Sequence, residues 1–138
     1  MTAPLSLRLD EATIERLRSR ATRLHLAPRT LAQRYIQEGL RHEEHPLVHF
    51  VDGPAGRRPA LLGTGLDVWE AILVVRDNDG DVAAAAEYLE RPVHLLQTAV
   101  NYYAAYRHEI DEWIVAHELE VEEAHAAWLA GQQAFEHH

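Results

Sequence analysis

The residue types that could do acid–base or metal chemistry in this chain are histidines that lie near carboxylates or other histidines. His108 precedes Glu109, and His42 and His45 lie three residues apart. Two histidines at that spacing hold a metal ion only with further ligands at a fixed spacing, and the sequence has none. The chain has no cysteine, and no nucleophile, base and orienting group occur together. We therefore predict no enzymatic activity, no metal site and no cofactor.

A different chemistry is indicated by the alternating residues near the N-terminus. Side chains alternate along a strand, so Leu5, Leu7 and Leu9 fall on one face, and Ser6 and Arg8 fall on the other. A lone short strand with one apolar face is unstable in water, and its simplest partner is the same strand of a second copy. The two strands form an antiparallel ribbon whose polar face can enter a DNA major groove. The pattern predicts a DNA-binding homodimer.

The net charge of −9 is unevenly distributed along the 138 residues. Residues 1–41 contain eight arginines and four acids, a net of +4, whereas residues 42–107 have a net of −5. Residues 108–138 contain eight acids and neither arginine nor lysine. Because affinity for nucleic acid comes largely from neutralising phosphates, only the first segment is predicted to bind operator DNA. The acidic remainder suits a basic protein partner.

Two amphipathic helices are predicted directly after the strand. Asp10 can cap the first helix, whose apolar residues recur at spacings of three and four while its arginines point mostly outward. Pro28 fits the first turn of the second helix. The apolar seam of that helix includes Leu31, Tyr35 and Ile36.

This strand–helix–helix order, over residues 4–41, resembles the ribbon-helix-helix family of repressors. The resemblance implies that the outward strand residues Ser6 and Arg8 read base edges. It also implies a phosphate contact at the start of the second helix, from Arg29 and Thr30. The dimer core is then formed by Leu5, Leu7, Leu9, Leu31, Tyr35 and Ile36. The alternative is that the strand and helices open an ordinary α/β domain.

Residues 45–112 are predicted to form a β-hairpin followed by three helices. The segments 47–51 and 58–62 are strand-like, and the turn residues of segment 52–56 separate them. The preceding segment 42–46 is predicted to be a polar linker. The three helices begin near Asp67, Asp81 and Pro92.

The stretch RPALLGTGLDVW at residues 58–69 carries a second resemblance. Together with AVNYY at residues 99–103 and HEID at residues 108–111, it resembles an uncharacterised family of small bacterial proteins with a helix-turn-helix-like unit. The resemblance covers about residues 56–112, and Gly65 stands where the family often has arginine. Members of that family resemble antitoxins paired with PIN-like nucleases. The negative charge of this region favours dimerisation or toxin docking over DNA binding by its last helix.

In such pairs an antitoxin arginine often enters the acidic metal site of the toxin. No arginine follows Arg107 in this chain, so Arg57, Arg58 or Arg107 would have to supply that side chain. The alternative is that the chain simply covers the site.

The C-terminal segment from Glu109 is predicted to be a long acidic helix with one apolar stripe. A helix with exposed tryptophans and no cation suits an apolar, basic groove of a partner. The predicted partner-binding residues are Trp113, Val121, Trp128 and Phe135. Trp113 has an equal alternative, packing on the protein's own core. The terminal His137 and His138 are not interpreted as ligands.

The sequence thus predicts a mainly α protein with three domains. Residues 1–44 form a ribbon-helix-helix dimer module, residues 45–112 a hairpin with a three-helix, helix-turn-helix-like unit, and residues 113–138 an acidic helix. The predicted function is a type II antitoxin and autorepressor that binds operator DNA and neutralises a PIN-like ribonuclease toxin. The alternative is a stand-alone ribbon-helix-helix regulator whose C-terminal region oligomerises or senses a ligand. With no apolar run near 20 residues and no signal peptide, we expect a cytoplasmic protein without membrane contact.

Overall fold

The computed structural model describes residues 1–136, and the terminal His137 and His138 lie outside the described residues. The chain divides into two compact units, of which the first is Met1–Glu44 and the second begins at His45. The described residues form six helices and one two-stranded antiparallel hairpin. The prediction of a mainly α protein with a short hairpin is confirmed.

The first unit contains two helices, α1 (Glu11–Leu24) and α2 (Pro28–Glu44). Asp10 caps α1, because its Oδ1 accepts a hydrogen bond from the Thr13 backbone N–H at 2.8 Å. The helix ends at His25, which adopts a left-handed conformation with φ of 56°. The two helices and both of their starting residues agree with the sequence pattern.

One expectation for the first unit is not tested by a single chain, and another is wrong. Residues 1–10 form neither strand nor helix in the single chain. A strand needs a ladder partner, and the predicted partner is a second copy, so the strand over Leu5–Leu9 stays a prediction. The predicted linker at 42–46 begins too early, because α2 continues to Glu44.

The second unit begins with a hairpin of β1 (Val48–Gly53) and β2 (Gly56–Leu61). Val48 pairs with Leu61 and Gly53 with Gly56, so only two residues form the loop. Gly56 has φ of 124°, a conformation that favours glycine. The turn is therefore tighter than the sequence suggested.

Four helices follow the hairpin: α3 (Val68–Asp77), α4 (Val82–Leu89), α5 (Val93–Ala105) and α6 (Arg107–Glu136). Asp81 caps α4 by accepting from the Ala84 backbone N–H at 3.0 Å. The backbone N–H of Asp67, ahead of α3, donates to Glu70 Oε1 at 3.0 Å. These caps explain why aspartates mark two of the helix starts.

The core of the second unit joins the hairpin to all four helices. Its buried residues are Val48, Leu61, Val68, Ala71, Ile72, Val75, Ala85, Ala86, Leu95, Leu96, Ala99, Tyr102, Ile110 and Ile114. The last two belong to α6, which runs without interruption from the core to residue 136. The predicted boundary between residues 112 and 113 thus falls inside a continuous helix, and Ile114, beyond it, is buried.

Among residues 1–136, none of the helices combines the length and the hydropathy that a membrane span requires.

Candidate functional site

The first unit exposes an apolar surface that includes most of the predicted dimer core. Leu5 is 75% exposed and Leu7 58%, and Tyr35 and Ile36 on α2 are also exposed. A groove of about 490 Å³ is lined by Leu7, Leu9, Tyr35 and Ile36, among others. The structure therefore brings these four residues together on one open face. We call this surface the leucine face.

Leu31 does not belong to the leucine face. Its side chain is fully buried in the single chain, together with Ala21 of α1. The expectation that Leu31 is available for dimerisation is therefore wrong. The residue supports α2 from within one copy, and its hydrophobic burial is already complete.

Two of the four predicted DNA-contacting residues lie on a common surface. Ser6 and Arg29 line a second groove of about 540 Å³, which also includes Pro4 and Gln33. Arg8 and Thr30 are exposed, but they are not part of this lining. Leu5, Leu7 and Ile36 line the same groove, so Ser6 and Arg29 lie at the border of the leucine face.

The arginines of α1 add a positively charged surface that the sequence analysis did not assign to a site. Arg16, Arg20 and Arg23 line one open groove of α1 together with Glu15 and Ser19. Their spacing of four and three residues places them on one side of a helix, so the pattern was visible in the sequence. Cations on one side of a helix are the arrangement that neutralises successive phosphates.

Arg58 has a structural role in the second unit. Its Nε pairs with Asp67 Oδ2, at 2.6 Å, and the Trp69 indole N–H donates to the same oxygen at 3.0 Å. Asp67 is buried, so the arginine compensates a carboxylate that has lost its water. Three residues of the stretch at 58–69 therefore hold the hairpin to α3. Only the spacing between Asp67 and Trp69 is short enough to have suggested this network from sequence.

A second polar cluster joins α3, α5 and α6. Arg76 donates to the Tyr103 hydroxyl at 2.7 Å and to Asp111 Oδ1 at 3.1 Å, and the Tyr103 hydroxyl donates to the same Asp111 oxygen at 2.7 Å. The hydrogen bond from Tyr103, followed by the hydrogen bond from Arg76 and its charge, lowers the pKa of the Asp111 carboxyl. The Arg107 guanidinium lies 5.4 Å from the centre of the Tyr103 ring.

The three arginines considered for a toxin metal site are thus all engaged within the second unit. Arg58 pairs with Asp67, and Arg57 pairs with Asp52 at 3.1 Å. Arg107 lies against Tyr103. An arginine that enters a partner's site would first have to leave these contacts.

The four predicted partner-binding residues on α6 fall into two groups. Trp113 is half-buried and covers the hairpin turn, since a Cβ atom at Gly56 would lie 3.8 Å from its Cη2. Val121, Trp128 and Phe135 are 53%, 57% and 84% exposed. Trp113 therefore lies against the hairpin turn of its own unit, whereas the other three lie on a part of α6 where every residue from 118 to 136 is exposed.

Among the described residues, no group of three or more histidine, cysteine or carboxylate side chains is arranged to hold a metal ion. No known family, curated protein or solved structure matches this chain. The two family resemblances therefore stay predictions.

Proposed function

We propose that this chain is a type II antitoxin and transcriptional autorepressor that binds operator DNA as a homodimer and neutralises a PIN-like ribonuclease toxin. In this proposal the first unit is a ribbon-helix-helix module. The second unit is a support that presents α6 to the toxin. The protein itself has no enzymatic role.

The leucine face, which lies in an arginine-rich unit, is the observation that supports DNA binding by a homodimer. Leu5, Leu7 and Leu9 alternate with Ser6 and Arg8, and they are exposed beside Tyr35 and Ile36. A second copy would cover these side chains and supply the missing ladder partner. The same pairing turns Ser6 and Arg8 to the opposite face of a two-stranded ribbon, which fits a major groove.

The positive charge of this unit supports the same proposal. Arg16, Arg20 and Arg23 form one row, and Arg29 lines the same groove as Ser6. Dimerisation doubles this charge, so a two-fold dimer would neutralise phosphates on both sides of a palindromic site.

The toxin-binding half is supported by the composition and exposure of α6. Its outer half carries apolar side chains, and residues 108–138 contain acids but no arginine or lysine. Because Arg57, Arg58 and Arg107 are engaged in the second unit, we propose that the chain covers the toxin's active site rather than entering it with an arginine. The surface that binds would include Val121, Trp128 and Phe135.

A mobility-shift experiment with the DNA upstream of the protein's own reading frame tests the first half. If Arg8 contacts a guanine, Arg8→Ala should weaken operator binding by ~1–3 kcal/mol. Arg91→Ala, which removes the same charge from the second unit, serves as the control and should bind normally. Unchanged binding by Arg8→Ala would remove this residue from the reading surface, and no shift with the unmodified protein would end the proposal.

A truncation tests the second half. Removing residues 119–138 spares the buried Ile110 and Ile114, so the core should remain folded. We expect the truncated protein to bind the operator but to lose inhibition of a nuclease encoded beside it. If no such nuclease binds while operator binding persists, the stand-alone regulator becomes the better description.

A further inference from the structure

We propose that the exposed half of α6 pairs in antiparallel orientation with α6 of a second copy. The inference does not rest on the proposed DNA and toxin binding, but it concerns the same residues that the proposal assigns to the toxin. It concerns the free protein and the stripe formed by Val121, Trp128 and Phe135, which we call the α6 stripe.

The α6 stripe continues the face with which α6 packs on its own unit. Ile110 and Ile114 are buried in the core, and the His117 ring lies 4.8 Å from the ring of Trp69. Val121, Trp128 and Phe135 follow Ile114 at successive intervals of seven residues. A seven-residue interval keeps side chains on nearly the same side of a helix, so the core-facing face runs on into solvent.

Small residues lie between the large ones at the spacing that helix pairing uses. Ala124 and Gly131 each follow a stripe residue by three positions, and nothing lies within 4 Å of a Cβ atom built at Gly131. When two copies run antiparallel about residue 126, Trp128 of each copy faces Ala124 of the other. In the same register Val121 faces Gly131. Large side chains then meet small ones at both levels, which allows close packing.

The charges select the antiparallel orientation. Four of the five acids in the outer half of α6 lie at one end, at Glu118, Glu120, Glu122 and Glu123, and the fifth, Glu136, is its last residue. Residues 124–135 between them contain no Asp, Glu, Arg or Lys. A parallel pair would set the four acids of one copy against those of the other, which is unfavourable. In the antiparallel register each acidic end lies beside the uncharged segment of the other copy.

A second copy therefore explains more of this surface than a basic partner does. Basic side chains would be complementary to the four acids, but they would gain nothing from the uncharged segment that contains Trp128 and Phe135. If the leucine face also joins two copies, their α6 helices are held at a high effective concentration and pair more readily. A toxin that binds the α6 stripe would first have to open this pair.

Disulfide trapping in the full chain tests the pairing, because the native sequence has no cysteine. The register places Glu118 of one copy beside Gln132 of the other. We therefore expect Glu118→Cys and Gln132→Cys, carrying tags of different size and co-expressed, to form a mixed disulfide dimer under mild oxidation. Each cysteine variant expressed alone should form at least several-fold less disulfide-linked dimer. Ala130→Cys, on the opposite side of α6, is the matched control and should not cross-link.

Loss of the aromatic contact should reduce trapping without unfolding the helix. Adding Trp128→Asp to the mixed pair is expected to lower the disulfide yield about tenfold, as for truncation of a central aromatic anchor. Ala130→Asp should leave it unchanged, and circular dichroism verifies that α6 stays helical. Equal disulfide formation within each single variant would overturn the antiparallel register. Absence of any mixed disulfide in a helical protein would overturn pairing with a second copy and leave the stripe to a basic partner.

Discussion

The two units of this protein bury apolar side chains to very different extents. Within residues 1–44, the buried hydrophobic residues are Ala21 and Leu31, while three alternating leucines remain exposed. The second unit buries fourteen residues in one continuous core. Modules of about 40 residues rarely build a sufficient core alone. The second unit thus has a core of its own in one copy, whereas the first unit buries few apolar side chains and leaves the leucine face exposed.

The exposed apolar surfaces of the two units also have opposite electrostatic surroundings. The leucine face lies beside arginines of α1, including Arg16 and Arg20, which line the same groove. The α6 stripe follows a cluster of acids. Since charge determines which partners approach a surface, the two surfaces are expected to serve different partners in addition to any self-association.

The largest expected effect comes from placing a charge on the leucine face. Leu7→Asp should weaken self-association of the full chain by about a hundredfold or more (~3 kcal/mol), because a paired strand would bury the new carboxylate. Light scattering over a dilution series measures this loss, and operator binding should fall with it.

Leu119→Asp is the matched control for Leu7→Asp. Leu119 is 53% exposed and Leu7 is 58% exposed, but Leu119 lies on the side of α6 away from the stripe. Its substitution should leave the mass of the assembly unchanged. If both substitutions act equally, the leucine face has no special role, and the contrast between the two units disappears.

The next largest effect is expected in the core of the second unit. Ile110→Ala removes a fully buried side chain and should lower the free energy of unfolding by about 2–5 kcal/mol. Val115→Ala, five residues further along α6 and 53% exposed, should change the free energy of unfolding by only about 0.5 kcal/mol or less. Urea denaturation followed by tryptophan fluorescence compares the two. A small effect at Ile110 would mean that α6 contributes little to this core.

Local sequence signals predicted the starts of the helices well. Asp10, Asp81 and the prolines at 28 and 92 mark boundaries because capping and the fixed φ of proline are properties of a few neighbouring residues. The hairpin was likewise visible in two short apolar runs around a glycine–proline turn. The mainly α fold with one hairpin follows from these signals alone.

The remaining features depend on contacts between distant residues or between copies. The Leu5–Leu9 strand is predicted to pair with a second copy, so a single chain neither forms it nor tests it. Leu31 and Tyr35 belong to the same helical seam, yet one is buried and the other exposed, and periodicity alone does not separate them. The pairing of Arg58 with Asp67 spans a strand and a loop, so no local spacing revealed it.

Two glycine substitutions, one in each unit, should change the free energy of unfolding in opposite directions. A Cβ atom at Gly53 would overlap the Arg58 guanidinium, which is held by the buried Asp67. Gly53→Ala should therefore destabilise the second unit by about 1–2 kcal/mol, because it displaces the partner of a buried carboxylate. Nothing lies within 4 Å of a Cβ atom at Gly39 in α2, so Gly39→Ala should stabilise that helix by up to ~1 kcal/mol.

Thermal unfolding of both glycine variants, alone and combined, measures these changes. The change in the free energy of unfolding of the combined variant should equal the sum of the two single changes, because the two positions lie in separate units. Destabilisation by Gly39→Ala, or no change with Gly53→Ala, would contradict the packing described for the respective unit.

The smallest expected effect concerns the polar cluster of Asp111 in the second unit. Hydrogen bonds from Tyr103 and Arg76 lower the pKa of this carboxyl below its ordinary value of 3.8, so the folded state favours the ionised form. The stabilisation is therefore complete above pH 3.8 and is lost as the pH falls through the lower pKa of the folded protein. Asp111→Asn should lower Tm by a few degrees at most at neutral pH, since the cluster is partly exposed.

The pH dependence separates this electrostatic contribution from a simple loss of packing. The difference in Tm between Asp111→Asn and the unmodified protein should begin to shrink as the pH falls below 3.8, and it should disappear once the pH is below the lower pKa of the folded carboxyl. Asp10 supplies the comparison in the first unit, because hydrogen bonds from Thr13 lower its pKa as well. Asp10→Asn should show the same pH trend in the unfolding of the first unit. A difference in Tm that stays constant from neutral to acid pH would mean that the two side chains stabilise the protein by packing rather than by their charge.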